Sequence, residues 1–385
     1  MIQHRPTPLS VRSLAVCAFA GLVLSMPFAS AEPATVIVAT ADSSEKSKAS
    51  ADFVGDGMGD QEEIYRAIHA LPEAGGTVCL MEGTYDIRKV DGKRGGIIID
   101  RSNVTLAGQG AATRLIQAPE QNTNVIRIIG LSVGNITIRD LYVDANRDQN
   151  PYDVGDPNVS HDRFEYCGIK AFRCEPGGPS GPDTHDITIQ NCHVMNAKRL
   201  GIMLEGPNMK VIDSVLGNAF SDSVEILTGP GQIRGNYVEI TGKTHVAIGT
   251  DRGNNILMTN NIVHIKETGD LDIGFRSWAS SLRHVVANNV LTVDQGGKCT
   301  LAMDIRGDGA TVTGNCIQSW NTETPIRLAI GGGDTVISDN LLENVIIEVN
   351  DKTALNKPIM IRGNIMDNST IEHVRGNLIA PDVEE

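Results

Sequence analysis

Aromatic residues make up only 4% of this 385-residue sequence, whereas apolar residues of all kinds make up 41%. The core must therefore be built from small and aliphatic side chains. No Cys-x-x-Cys spacing occurs, which argues against a zinc site of that pattern. Basic residues are also in deficit, since the formal net charge is −14. A nucleic-acid-binding surface needs a basic footprint, so we expect no nucleic-acid partner.

Long apolar runs are missing everywhere except near the N-terminus. There, Arg5 and Arg12 precede an apolar run over residues 14–26, and Ala-Ser-Ala follows at 29–31. This order is typical of a secretory signal peptide, which we predict over residues 1–31. No other stretch approaches the ~18 apolar residues that a membrane span needs. We therefore expect a secreted or periplasmic protein without a membrane span, with a polar, disordered linker over residues 32–51.

Six cysteines follow the predicted signal peptide, and export would permit them to form disulfides. Cys192 and Cys316 each directly follow a repeated Asn, which indicates stacked core positions. Cys167 and Cys174 are the pair that we predict to be bonded.

One short phrase recurs between residues 186 and 368: a few β-formers, then Asn or a substitute, then apolar residues. A period of 22 to 28 residues without helical spacing indicates a solenoid, whose units bury apolar side chains by stacking on their neighbours. The leucine framework of leucine-rich repeats is absent, so the pattern predicts a parallel β-helix with three short strands per turn. Asn tolerates left-handed backbone angles, and its amide can bond the next turn. We expect a buried Asn ladder at the residues Asn191, Asn236, Asn261, Asn289, Asn315, Asn340 and Asn364.

A short amphipathic helix is predicted before the repeats. Asp60 is a candidate N-cap with Glu63 as its capping-box partner, and apolar residues 64, 68 and 71 fall on one face. Such a helix would cover the open end of the coil. The acidic residues Asp52, Asp56 and Asp60 leave calcium possible, although a turn and a helix cap explain them better.

Residues 75–78 read Gly-Gly-Thr-Val and residues 83–85 read Gly-Thr-Tyr. This entry segment resembles that of the pectin-lyase-like superfamily of secreted right-handed β-helices, and the resemblance extends over residues 52–378. It implies an all-β, single-domain, right-handed parallel β-helix over residues 52–385. Residues 138–150 are also similar to the catalytic module of mannuronan C5-epimerases. Where that family has Tyr-Gly-Phe-Asp-Pro-His, however, residues 200–205 read Leu-Gly-Ile-Met-Leu-Glu, so its catalytic residues cannot be carried over.

Charged side chains are predicted to form a strip on the outward face of the strands that precede the Asn-bearing ones. Arg276 and Arg306 are expected at the same point of successive rungs, where they would bind a sugar carboxylate, with Trp278 stacking on a sugar ring. His245 is the candidate general base, and Lys170 is a further catalytic candidate. Arg127 is also expected on the strip, and the strip residues that are candidate substrate ligands are Glu205, Glu225, Asp272, Asp304 and Arg327. Each has an alternative structural interpretation: Arg276 and Arg306 as ion pairs with Asp272 and Asp304, Glu205 and Glu225 as solvated side chains, and His245 as a structural residue.

An insertion over residues 145–185 lengthens one rung to 51 residues, from Asp140 to Asn191. Long excursions from a regular coil are more often functional than accidental, so we predict a loop over the strip that carries Lys170, His161 and His185.

Three classes of function remain open on the sequence alone. The first is C5-proton abstraction from a uronate polysaccharide, by lyase or epimerase chemistry, which needs a cation beside the carboxylate and a base near C5. The second is glycoside hydrolysis, which needs two carboxyl groups; Glu205 and Glu225 are one candidate pair. The third is a non-catalytic solenoid that binds polysaccharide. The sequence favours the first.

Overall fold

Short strands with alternating buried and half-exposed residues dominate the chain. The structure, a computed structural model, describes residues 34–150, 166–171, 184–321, 324–349, 357–373 and 378–379. Within these residues, 36 strands form three sheets of 14, 11 and 11 strands, and all the strand pairings between named strands are parallel. The predicted signal peptide lies outside the described residues.

Each turn of the coil contributes one strand to each sheet, in the order sheet A, sheet B, sheet C. Sheet A consists, from edge to edge, of Phe53–Val54, Ala34–Ala39, Gly76–Leu80, Val104–Ala107, Val133–Arg139, Thr184–Gln190, Met209–Ile212, Gly231–Arg234, Ile256–Thr259, Val285–Ala287, Thr311–Thr313, Thr335–Ser338, Ile359–Arg362 and Leu378–Ile379. Sheet B consists of Gly83–Ile87, Thr113–Gln117, Tyr142–Asp144, His193–Met195, Val215–Gly217, Tyr237–Ile240, Ile262–Ile265, Val290–Val293, Cys316–Ser319, Leu341–Glu343 and Ile365–Asp367. Sheet C consists of Gly95–Ile99, Asn124–Ile128, Ile169–Ala171, Ile202–Gly206, Asp222–Thr228, Lys243–Asp251, Asp270–Ser277, Lys298–Ile305, Ile326–Ile330, Val345–Val349 and Thr370–His373. The predicted all-β parallel β-helix is confirmed.

The Asn ladder forms at the corner between sheets A and B. Asn261 Nδ2 donates to Asn289 Oδ1 at 3.0 Å, and the same bond repeats at every step from Asn236 to Asn364. Asn191 does not join it, because the ladder position in that rung is held by Cys192. Asn191 instead precedes the ladder position and has a positive φ of 49°. The left-handed residue of each corner thus comes one position before the ladder residue.

Two helices lie near the N-terminus. Helix α1 spans Glu45–Ser50 and helix α2 spans Gln61–Ala70, with residues 64 and 68 of α2 in the core. The capping helix is therefore confirmed, but Asp60 forms no side-chain cap bond. Its carboxylate instead accepts hydrogen bonds from the backbone of Gly57 and Asp86 and from Thr40 Oγ1.

Residues 34–51 differ from the predicted disordered linker. The strand Ala34–Ala39 pairs in parallel with Gly76–Leu80 on one side and Phe53–Val54 on the other, and α1 follows it. Val36 and Val38 supply the alternating apolar positions of this strand. The sequence did not reveal this strand, because its short apolar segment is flanked by polar residues. It lies next to the edge strand of sheet A.

The long rung between Asp140 and Asn191 keeps the three-strand plan. Its sheet C strand is Ile169–Ala171, which pairs with neighbours on both sides. Lys170 therefore lies on the coil and not on a loop above it. Most of the predicted insertion, including His161 and Cys174, lies outside the described residues, so the loop over the strip and the Cys167–Cys174 bond stay predictions. No helix in the described ranges is long and apolar enough to cross a bilayer.

Candidate active site

One row of outward positions, formed by residues in register on successive strands of sheet C, carries the charged strip. Strand pairing places Arg127, Lys170, Met203, Glu225, Gly249, Arg276, Asp304 and Ala329 side by side on successive strands. Adjacent strands are about 4.8 Å apart, so five of the charged residues predicted for the strip lie in one row.

The centre of the row is a buried cluster of one guanidinium and two carboxyl groups. Arg276 Nη2 donates to Asp222 Oδ2 at 2.6 Å and to Glu225 Oε1 at 2.6 Å. The three side chains are only 10%, 4% and 7% exposed. Ser221 Oγ donates to the second oxygen of Asp222 at 2.9 Å. Asp222 thus accepts a hydrogen bond at both oxygens.

Gly249 opens the path that lets Arg276 reach across a rung. It lies between Glu225 and Arg276 in the row, and it has no side chain to fill that space. A Cβ at this position would lie 3.2 Å from Asp222 Oδ2 and 3.3 Å from Arg276 Nη2. A larger residue here would therefore displace the guanidinium from the carboxyl pair.

Burial and charge give the cluster unusual proton affinities. Desolvation, and then the neighbouring Asp222, raise the pKa of Glu225 to about 8 despite the opposing effect of Arg276. Burial acts to lower the pKa of Arg276, but Asp222 and Glu225 outweigh it and hold that pKa above its ordinary value. Burial and the neighbouring Asp222 thus favour the protonated form of Glu225, beside an Arg276 whose charged form is favoured.

Arg306 does not occupy the predicted point beside Arg276. Arg276 is in register with Asp304, and Arg306 lies two residues further on, beside the position of Trp278. Asp304 binds Arg306 through both oxygens, at 2.9 and 2.8 Å. Both guanidinium carbons lie near the Trp278 ring, at 5.1 Å for Arg276 and 4.7 Å for Arg306. The predicted pair of free cations is thus replaced by two arginines that are each bound to carboxylates and packed on one indole.

His245 and Asp272 lie on sheet C, four residues before the row, and they contact each other. His245 Nδ1 is 2.9 Å from Asp272 Oδ2, and the histidine side chain is 60% exposed. Lys243 also contacts Asp272. Arg327 is aligned with Leu301 and lies 3.5 Å from Glu348. These residues form surface ion pairs, and none of them lines the cleft described below.

Glu205 is buried, but it is not paired with Glu225. It is aligned with Leu227 and then Asp251, two positions beyond the row, and its Oε1 lies 3.4 Å from Arg252 Nη2. The acid pair that the sequence left open for Glu205 and Glu225 therefore does not form. The partner of Glu225 is Asp222.

A cleft of about 290 Å³ opens onto the cluster. Its walls combine apolar side chains with charged ones, as carbohydrate sites commonly require of stacking and hydrogen-bonding groups. The lining residues are Arg199, Leu200, Met203, Ser221, Asp222, Glu225, Leu227, Asp251, Arg252, Arg276 and Trp278.

No group of three or more His, Cys, Asp or Glu side chains in the described part of the chain is arranged to hold a metal ion. The acidic residues considered for calcium are engaged with the backbone. Asp52 accepts from Ile37 N and Asp56 accepts from Met58 N. This geometry suits the turns that we preferred as their explanation.

Sequence reasoning missed Asp222, because residues three apart on a regular strand face opposite sides. On the neighbouring strand, the consecutive residues Ala247 and Ile248 both join the core, so the alternation is interrupted here. The interruption lets Asp222 and Glu225 serve the same guanidinium. Gly249, opposite Glu225, was the available signal, since glycine within a strand often marks a close approach.

Comparisons with known proteins find the fold but no close relative. No protein-family model matches the chain, and no curated protein matches it. Among solved structures, the A-module of mannuronan C-5 epimerase AlgE6 from Azotobacter vinelandii has a TM-score of 0.56 at 20% identity. That alignment covers 86% of this chain and 97% of the module. DFA-IIIase from Arthrobacter chlorophenolicus A6 has a TM-score of 0.55 at 12% identity, covering 90% of this chain and 87% of the enzyme.

The chain has the right-handed parallel β-helix fold. This similarity confirms the fold that the entry segment implied. It does not indicate the reaction, because one fold can carry many different active sites. The likeness of residues 138–150 to the epimerase module stays a prediction. The function of this β-helix must therefore be argued from its cleft.

Proposed function

We propose that this β-helix is an exported enzyme that cleaves glycosidic bonds in a polysaccharide. The observation that carries the proposal is the pair of carboxyl groups, Asp222 and Glu225, that share one guanidinium nitrogen at the bottom of a cleft. Glycoside hydrolysis uses two carboxyl groups of different protonation on either side of the scissile bond. Among the three functions that the sequence left open, hydrolysis is the one whose chemical groups the cleft contains.

Glu225 is the general acid in this proposal. Its raised pKa keeps a proton on it near neutral pH, and its Oε1 is held by Arg276, which leaves Oε2 to carry that proton. As the glycosidic C–O bond breaks, the proton passes to the leaving oxygen. Asp222 attacks the anomeric carbon and forms a glycosyl ester. Water then breaks this ester after losing its proton to Glu225.

The separation of the two carboxyl groups predicts the stereochemistry. Their near oxygens each lie 2.6 Å from one nitrogen atom, so they are at most twice that distance apart. Retaining enzymes keep about 5–5.5 Å between the groups, whereas inverting enzymes leave about 6.5–9.5 Å for a water molecule. We therefore expect retention of the anomeric configuration.

Trp278 and Arg252 supply the contacts that would hold the sugar. The indole of Trp278 lines the cleft, and its position beside two guanidinium groups fixes it there. The side chain of Arg252 is 40% exposed and lines the same cleft. Sugar hydroxyl or carboxylate oxygens are suitable acceptors for it. Arg276, in contrast, is a positioning residue that acts through Asp222 and Glu225.

C5-proton abstraction from a uronate is the second candidate. The side chain of Arg252, which is 40% exposed and lines the cleft, would neutralise a uronate carboxylate. The base that we predicted for this chemistry, His245, lies outside the cleft. Analysis of the products separates the two candidates, since a lyase yields unsaturated chain ends and a hydrolase yields saturated reducing ends.

The test is a panel of polysaccharides incubated with purified protein. It includes neutral and uronate polymers, and also mannuronan and DFA-III, the compounds in the names of the structural neighbours. We expect saturated reducing ends from at least one substrate, with activity reduced at least about a hundredfold in Glu225→Gln and Asp222→Asn. The matched control is Glu348→Gln, which lies five strands further along the same row. It should retain activity. Unsaturated products would favour the lyase, and binding without any product would favour the non-catalytic solenoid.

The pH dependence tests the role of Glu225 separately. A general acid must be protonated, so activity should fall as the pH rises through about 8. The variant Glu225→Asp keeps a carboxyl group, so its residual activity should also fall as the pH rises, but over a different pH range. A rate that is constant between pH 6 and pH 9 in wild type would contradict this assignment.

A further inference from the structure

A nearly uncharged row of outward side chains runs along nine of the eleven strands of sheet B, on a different sheet from the cleft, and ends at Arg114, the next position in register. Strand pairing places nine positions in register from Tyr142 to Ile365. Its members include Tyr142, Tyr237, Ile262, Val290, Leu341 and Ile365, and no Asp, Glu, Lys or Arg occurs among the nine. We call this row the sheet B stripe.

The stripe exposes large aliphatic side chains to solvent. Ile262 is 43% exposed, Leu341 is 38% exposed and Ile365 is 68% exposed. Single exposed apolar residues are ordinary on protein surfaces, but contiguous rows of them mark interaction sites. Nine strands spaced about 4.8 Å apart make the stripe about 40 Å long.

Some rungs of the stripe carry opposite charges at its two borders. Three residues before the stripe position, at the end of sheet A, stand Arg234 and Arg362 in their respective rungs. Two residues after it, on sheet B, stand Glu239 and Asp367 in the same two rungs. Arg362 and Asp367 are exposed, and neither forms an ion pair with another described residue. These two rungs, and the rung of Tyr142 with Arg139 and Asp144, therefore place a basic group and an acidic group on opposite sides of the stripe, whereas the other six rungs carry no such pair.

We propose that the stripe binds a second copy of this chain, with the two coils side by side and parallel. A two-fold axis along the coil direction places the basic border of one copy against the acidic border of the other at the same rung. Arg362 then meets Asp367 of the second copy twice, once on each side of the axis. An antiparallel pair would instead place basic borders against each other. The charge pattern thus selects the parallel arrangement.

The size of the stripe suits a stable dimer. A contact about 20 Å wide along its length of about 40 Å covers about 800 Å² per partner, which is the size of a standard specific interface. An isologous contact also doubles the effect of every substitution, because each side chain is used twice. The proposal does not depend on the chemistry in the cleft.

The first test measures mass by sedimentation equilibrium of the purified mature protein between about 1 and 100 µM. We expect a dimer in wild type. Ile262→Asp should weaken dimerisation at least about a hundredfold, because two carboxylates would be buried in the contact. The matched control is Leu131→Asp, which alters a 75% exposed apolar residue away from sheet B and should leave the dimer intact. A monomer at every wild-type concentration would overturn the proposal.

The second test reverses the charges. Arg362→Glu alone should weaken the dimer, because it places two glutamates against two aspartates. Adding Asp367→Arg should restore wild-type dimerisation, because the two reversed groups meet across the axis. Neither residue lies near the cleft, and circular dichroism should show an unchanged fold in both variants. Restoration fails if the coils are antiparallel or associate through another face, and either outcome refutes the parallel arrangement.

Discussion

Replacing Arg276 with Met tests the energetics of the buried cluster. The change removes the one group that neutralises Asp222 and Glu225 while it keeps a side chain of similar length. Since the three side chains are at most 10% exposed, water cannot take over the role of the guanidinium. Removing one partner of a buried ion pair typically costs about 3–5 kcal/mol of unfolding free energy. We expect a loss of that size at pH 8.5.

The loss should depend on pH in a definite direction. Glu225 has a raised pKa in the folded protein, so its contribution to stability is fully present below its unfolded value of about 4.5 and is lost as the pH rises through about 8. Without Arg276, the two carboxyl groups take up protons more readily. At pH 5, the destabilisation of Arg276→Met should therefore be much smaller than at pH 8.5.

Urea unfolding followed by circular dichroism at the two pH values measures both effects. The control is the triple variant Arg276→Met with Asp222→Asn and Glu225→Gln, in which no charge is left unpaired. It should lose most of the pH dependence. A destabilisation below about 1 kcal/mol at pH 8.5, or equal losses at both pH values, would refute the buried-charge reasoning.

Three further predictions concern single positions. Asn289→Leu should cost roughly 1–3 kcal/mol in urea unfolding, because it leaves ladder partners such as Asn315 unsatisfied; a cost near zero would show that the ladder is replaceable. Burial lowers the pKa of His284 to about 4, so its contribution to stability is present above about 6.5 and is lost as the pH falls toward 4. Thermal melts of His284→Gln should lack this part of the acid sensitivity, and identical profiles would contradict it. Gly249→Val should reduce kcat at least about tenfold with little change in KM, because it displaces Arg276. A tenfold rise in KM with unchanged kcat would instead indicate a role in substrate binding.

The sequence was sufficient to predict the coil, because the repeated phrase reports the rung spacing directly. It also predicted the ladder from Asn236 onward and the capping helix. The strand Ala34–Ala39 was missed because its longer partner strand, Gly76–Leu80, lies 42 residues further along the sequence and because polar neighbours dominated the local composition.

The site was predicted only in outline. Arg276 and Glu225 were on the predicted strip, but period-two alternation cannot place Asp222 on the same side as Glu225. The predicted equivalence of Arg276 and Arg306 was wrong by two residues, because the similar local sequences around them are out of register on the paired strands. Arg276 reaches Asp222 and Glu225 because Gly249 leaves space on the strand between them. Predicting the cluster from the sequence would have required recognising the role of this glycine.

A proton NMR time course of the wild-type protein with its best substrate from the panel distinguishes hydrolysis from elimination and from epimerisation. Retaining hydrolysis by Asp222 and Glu225 should give new reducing-end signals that appear first as the anomer of the starting linkage and then mutarotate, with no olefinic signal. Glu225→Gln should abolish these signals. Olefinic protons at the new chain ends, or exchange of C5 protons with deuterated water without chain cleavage, would contradict hydrolysis by Asp222 and Glu225.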